Sequence, residues 1–305
     1  MGFSETSLSG TVPSEMGRLQ SLESLVIGHS KIGGTVPSEL GNLSSLIWLV
    51  FESTNFSGSF PSEVFLLSNL RALQVFECPG LKTESVLHGV VRNMHKIERL
   101  GLGRGKPGRF ISVPTEIARL TNMLSLSLED FQLNGTLPSE VGLLTKLTRL
   151  RLHENAIVGA LPTEFLKFSG LNILDIGSNQ MEGKLEQSLF SQLTQLDVFS
   201  INGNWFSGSL PTEVGLLSSL RKLQLHNTNL SGTLPTELQL MDKLTSLVVM
   251  NTSLSGSIPS KLSSAILPPQ ELKCFGGECY KVATTSLSAC HGTRLCGCSC
   301  DPCPV

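Results

Sequence analysis

Charge is scarce in this chain. Of 305 residues only 16% are charged, and the formal net charge is −2. No positive excess exists to hold a phosphate backbone, so nucleic acid is not an expected partner. Polar aromatics are scarcer still, with one Tyr and two Trp. No apolar run reaches ~18 residues, so the chain holds no membrane span. The N-terminus carries no visible secretory signal. Also missing are the H-E-x-x-H, G-x-S-x-G and G-x-x-x-x-G-K-[ST] motifs and any kinase signature set. The glycine-bearing stretch from Gly101 to Lys106 lacks the Ser/Thr that a phosphate loop needs. His29, His153 and His226 are too dispersed to chelate one metal. No catalytic residue, cofactor or metal is therefore expected, and the chain reads as a non-enzyme.

What the chain does have is a proline at a nearly constant step. Pro13, Pro37, Pro61, Pro114, Pro138, Pro162, Pro211, Pro235 and Pro259 mostly stand 24 residues apart. Each closes a phrase of the form L-x-x-L-x-L-x-x-[N/T/S]-x-L-x-G-x-[LIV]-P. A repeat this short cannot bury its own apolar side and must stack on neighbours.

Counted back from the proline, position twelve is apolar in Leu25, Leu49, Leu126, Leu150, Leu174, Phe199, Leu223 and Leu247. Position ten is apolar in Ile27, Phe51, Leu128, Leu152, Ile176, Ile201, Leu225 and Val249. This period of two predicts a short strand with one face inward, and stacked strands make one parallel sheet. Position seven is polar, as in Thr54, Asn155, Asn179 and Asn204, and can bond backbone leaving the strand. Phe131 and Cys78 break that rung and predict local irregularity. Position five is apolar from Leu8 to Leu254, and position three is glycine in nearly every coil, suited to a left-handed turn. After the proline, S/T-E-x-G-x-L predicts a short 3₁₀ or helical segment, with its recurrent Glu in a local capping role.

The fold expected is thus an α/β solenoid. Residues 1–264 form about eleven coils, the first truncated, and residues 265–305 form a cysteine-rich C-terminal cap. The chain opens in mid-repeat, so a cap and a signal peptide are expected to be missing from this chain. Between Pro61 and Pro114 the step is 53, and the stretches 81–93 and 101–112 lose the repeat phrase. Glu186 replaces a proline. Such departures are expected to project as loops.

Strand residues that do not point inward form the concave face. Near the N-terminal end it is apolar, with Trp48, Val50 and Phe76; the middle is charged, with Arg99, Glu129, Asp130, Arg149, Arg151, His153, Glu154 and Asp175. Trp beside Arg is the composition of binding hot spots. Mixed charge signs suggest a protein, peptide or glycan ligand.

Seven of eight cysteines fall near the end: Cys274, Cys279, Cys290, Cys296, Cys298, Cys300 and Cys303. Disulfides stapling the last coil are the favoured reading, which implies an oxidising compartment. A thiophilic ion at Cys296–Cys303 is the rival, although C-x-C spacing is atypical of zinc sites. Asn42, Asn55, Asn134, Asn229 and Asn251 each begin an N-x-[ST] glycosylation sequon.

The phrase Asn229-Leu230-Ser231-Gly232-Thr233-Leu234-Pro235 resembles the plant-type leucine-rich repeat, L-S-G-x-I-P. The wording T-[LV]-P-[ST]-E-[LV]-G is also similar to leucine-rich-repeat proteins of diatoms and algae. The resemblance implies a right-handed superhelix with a parallel β-sheet on the concave face and 3₁₀ or irregular convex segments. It implies a secreted or cell-surface recognition module, with a possible co-receptor. Two alternatives stand beside it: an extracellular fragment of a receptor-like kinase, and a purely structural wall-associated protein.

Overall fold

A computed structural model describes residues 2–4, 6–105 and 110–257, together with two short strands, Lys273–Phe275 and Glu278–Tyr280. The stretch Lys106–Arg109, the last proline of the series and the cysteines beyond Cys279 lie outside these residues.

One parallel sheet of eleven strands runs from Gly2–Phe3 to Ser246–Val248, with neighbours hydrogen-bonded in chain order. Both inward positions are filled as the period predicts, except in the last coil, where Leu247 and Val249 are only partly buried. Leu25, Leu49, Leu126, Leu150, Leu174, Phe199 and Leu223 are buried, as are Ile27, Phe51, Leu128, Leu152, Ile176, Ile201 and Leu225. Each such side chain contributes about 1.5–3 kcal/mol on burial, against about 0.5–1 kcal/mol of lost rotamer freedom for Leu or Ile. Leu8 shares the inward rung of position five but is 45% exposed, because only one coil flanks it.

Past each strand from Ser24–Gly28 onward the chain turns through a left-handed residue. His29, Ser53, Glu77, Arg104, Asp130, Glu154, Ser178, Gly203, Asn227 and Asn251 all have φ between 44° and 63°. Most are not glycine, so the stack holds them where an isolated chain would resist. The polar rung then closes the turn. Asn179 Oδ1 accepts the Ile157 N–H at 3.0 Å, while its Nδ2 donates to the carbonyls of Leu152, Ile176 and Gly177 at 2.9–3.1 Å.

The irregularity expected at Phe131 and Cys78 stays local: beside Phe131, Gln132 (φ 52°) adds a second left-handed residue after Asp130 (φ 45°), while the Phe131 and Cys78 side chains still enter the core. Both are buried. Asn155 of the next coil accepts the N–H groups of Phe131 and Leu133 at 3.0 and 2.9 Å. The Cys78 thiol lies 3.1 Å from the Thr54 hydroxyl.

A second parallel sheet follows the glycine of position three, whose φ runs from 72° to 102°. It is split into four strands, Ser9–Thr11 to Gly80–Lys82, and six strands, Asn134–Thr136 to Ser253–Ser255. The break falls where Ile111 replaces that glycine and makes only one bridge, to Leu133.

Two expectations are corrected. The stretch 81–93 is not a projecting loop: Val86–Asn93 is an α-helix that buries Val86, Leu87, Val90 and Val91 in the core. A second helix, Gln187–Gln192, follows Glu186 and buries Leu189 and Phe190. The recurrent Glu is not a cap either. Each of the eight 3₁₀ segments starts after proline without a side-chain cap bond. Instead the preceding hydroxyl meets the Glu in seven of these segments, as Ser38 Oγ donates to Glu39 Oε2 at 3.3 Å.

Candidate ligand-binding face

Strand register turns the outward residues of the eleven-stranded sheet into columns. One column reads Ser24, Trp48, Ala72, Arg99, Ser125, Arg149, Ile173, Val198, Lys222, Ser246. The next reads Val26, Val50, Gln74, Gly101, Ser127, Arg151, Asp175, Ser200, Gln224, Val248. A third begins Gly28, Glu52, Phe76, Gly103, Glu129. Side chains on neighbouring parallel strands stand about 4.8 Å apart.

Small residues shape the apolar end. Ala72 separates Trp48 from Arg99 and is fully covered, and the Arg99 guanidinium reaches over the Trp48 ring, 4.9 Å from its centroid. The indole stays 39% exposed. Phe76 lies across Gly101: a Cβ there would come within 2.5 Å of its ring. Val50 is half-buried beside them.

The ionic part lies further along. His153 Nε2 is 3.5 Å from Glu129 Oε2, and His153 Nδ1 is 3.2 Å from Asp175 Oδ2. The second contact is close but not aligned as a hydrogen bond, leaving Nδ1 buried without an aligned partner. The Asp175 carboxylate beside the ring raises the His153 pKa above its ordinary value; burial opposes this, and Glu129 and Glu154 add to it. Burial alone would raise Asp175, but His153, the Gly177 N–H and the Ser200 hydroxyl outweigh it and leave its pKa lowered. Ser127 Oγ donates to Glu129 Oε1 at 2.5 Å.

Arg149 is exposed and Arg151 half-buried, and among the described residues neither makes an ion pair. Asp130 and Glu154 stand exposed at the rim, on the left-handed turns. The predicted residues therefore form two groups, one around Trp48, Val50, Phe76 and Arg99, the other around Glu129, Arg149, Arg151, His153 and Asp175. Trp48 and Arg149 lie four strand steps apart in their column, or about 19 Å.

Sequence reasoning passed over Ala72, Gly101 and Ser127, whose smallness in outward columns was the available signal. It also passed over Glu77, which accepts from Ser53 Oγ at 2.5 Å and pairs with Arg104 at 3.0 Å. Arg104 is thus engaged within the coil stack.

The five sequon asparagines, Asn42, Asn55, Asn134, Asn229 and Asn251, are all exposed. Cys274 and Cys279 are register partners in the antiparallel pair of short strands. Cys78 is buried with a free thiol, its pKa raised chiefly by burial. Among the described residues no His, Cys, Asp and Glu side chains are grouped to hold a metal ion, and no helix is long and apolar enough to cross a membrane.

A family model described as Leucine Rich Repeat matches residues 219–241. The fold is a leucine-rich-repeat solenoid. A search of curated proteins finds no sequence that matches the chain. Among solved structures, a TDR receptor is 27% identical, with a TM-score of 0.75 over 85% of this chain and 44% of that one. The plant peptide hormone receptor RGFR1, solved in complex with RGF2, is 26% identical, with a TM-score of 0.70 over 87% and 46%. A leucine-rich-repeat protein of Leptospira interrogans is 27% identical, with a TM-score of 0.66 over 84% and 61%. The chain thus spans 44–61% of the length of these structures. This leucine-rich-repeat domain is thus related to the leucine-rich-repeat proteins among plant receptors.

Proposed function

We propose that this domain is the ligand-binding part of a receptor-like ectodomain, and that it takes an extended peptide or protein segment along its concave face. The observation that carries the reading is the pair of adjacent columns of strand-borne side chains, one running from the Trp48–Arg99 platform to Arg149 and the other holding Arg151 beside it. Pinned aromatic rings and cations without a carboxylate partner lower the ordering cost of binding. RGFR1, itself a peptide hormone receptor, supports the receptor reading over a wall-structural one. A secreted or cell-surface location, the plant-type wording of the repeat and a co-receptor on a lateral face belong to the same proposal.

A displayed random-peptide library panned on the intact chain tests it. Enriched peptides should lose about tenfold in affinity, about 1.4 kcal/mol, in both Trp48→Ala and the double variant Arg149→Ala/Arg151→Ala. They should keep it in Lys146→Ala, which changes an exposed lysine bonded to Asn122 away from this face. No enrichment, or peptides indifferent to the concave variants, overturns the reading.

A further inference from the structure

The concave face holds two cations without an ion pair beside a carboxylate that is committed elsewhere. Arg151 and Asp175 are register partners on adjacent strands, yet the Asp175 carboxylate turns to His153 at 3.2 Å. His153 is held from the opposite side by Glu129 at 3.5 Å. Its side chain is 21% exposed, and those of Glu129 and Asp175 are 14% and 23% exposed, so solvent screens these contacts only in part.

We propose that His153 is a positioning residue whose protonation decides whether Arg151 is available to a ligand. This rests on the concave face being the binding face. Protonated, His153 answers both carboxylates and keeps Asp175 on its own side. Neutral, it carries no charge and keeps a single N–H, so it no longer answers both carboxylates, and the cation in register with Asp175 is Arg151. Arg151 then pairs within the sheet and is withdrawn from an acidic ligand, which also meets more negative charge from Glu129 and Asp175.

The surrounding groups favour this exchange. The strand Ser125–Glu129 supplies Glu129, with Asp130 in the turn beyond it. The strand Ile173–Asp175 supplies Asp175. The coil of His153 itself supplies Arg149, Arg151 and Glu154. The next coil presents Ser200 and Asn202, which are uncharged, and Arg104 is held by Glu77 at 3.0 Å. No lysine or further arginine on these elements competes for Asp175.

NMR on the intact chain separates this proposal from the binding reading. From about pH 5 to 9, the His153 ring should titrate with a midpoint above 6.5, and the Arg151 Nε–H signal should shift with the same midpoint. In Asp175→Asn the Arg151 signal should no longer follow. An Arg151 signal that stays flat through the His153 titration overturns the proposal, as does one that still follows it in Asp175→Asn. In a second arm, a labelled hexaglutamate peptide should lose at least about fivefold in affinity across that midpoint, with the loss abolished in His153→Gln. The same loss in His153→Gln overturns the proposal. If hexaglutamate binds at no pH, the acidic-ligand reading of the concave face fails, and the Arg151 signal still decides the switch.

Discussion

Asn179 shows how much one side chain can hold in a stacked fold. It accepts one backbone N–H and donates to three carbonyls on two coils, so its loss orphans buried backbone groups. Asn179→Ala should cost about 2–4 kcal/mol in urea unfolding, while exposed Asn42→Ala stays within about 0.5 kcal/mol. Equal effects would remove the ladder role. The polarity of that rung was legible in the sequence, because every coil faces the same backbone demand; the number of bonds was not. At His153 the sign follows from linkage. Its folded-state pKa is raised, so the stability it adds is complete below about 6.5 and fades as pH rises through the folded value. Asp175 is lowered, so its share is present above about 3.8 and is lost as pH falls through its folded value. Thermal denaturation of His153→Gln should therefore show a deficit against wild type near pH 5.5 that closes at alkaline pH. A deficit that is constant with pH would assign the residue a packing role alone.

At the scale of elements, the convex 3₁₀ segments stack because glycine lets them. A Cβ on Gly142 would sit 2.3 Å from the Glu164 Cβ and 2.7 Å from its carbonyl oxygen. That contact is with backbone of the next coil and cannot rotate away. Gly142→Ala should destabilise by about 1–3 kcal/mol. Gly170 has open space around its would-be Cβ and no positive φ, so Gly170→Ala should be neutral or stabilising by up to about 1 kcal/mol. Chemical unfolding of the pair decides the point, and a reversed order would refute it. Both glycines are visible in the sequence, but only the stack tells them apart. The helix Val86–Asn93 teaches the same lesson. Its apolar spacing was present in the chain, yet loss of the repeat phrase masked it as a loop.

For the whole molecule, each coil touches only its neighbours, so stability is a chain of nearest-neighbour terms. Strands with partners on both sides should open last. Hydrogen exchange should find strongest protection in Ser125–Glu129, Arg149–Arg151 and Ile173–Asp175, and weakest in Gly2–Phe3 and Ser253–Ser255, which among the described residues have a partner on one side only. Uniform protection would mean a single cooperative unit. The sequence by itself determined the path of a coil, its inward leucines and the glycine that turns it, because every repeat writes the same local requirement. It also named most of the outward residues. Only the tertiary structure decided which of them meet. Trp48 finds Arg99 across Ala72 although 51 residues separate them, and the coil between Ala72 and Arg99 is 27 residues long rather than 24. A period cannot say whether such an insertion shifts the register or is taken up on the convex side. Here the helix Val86–Asn93 takes it up, the strands stay aligned, and His153 comes to rest between Glu129 and Asp175.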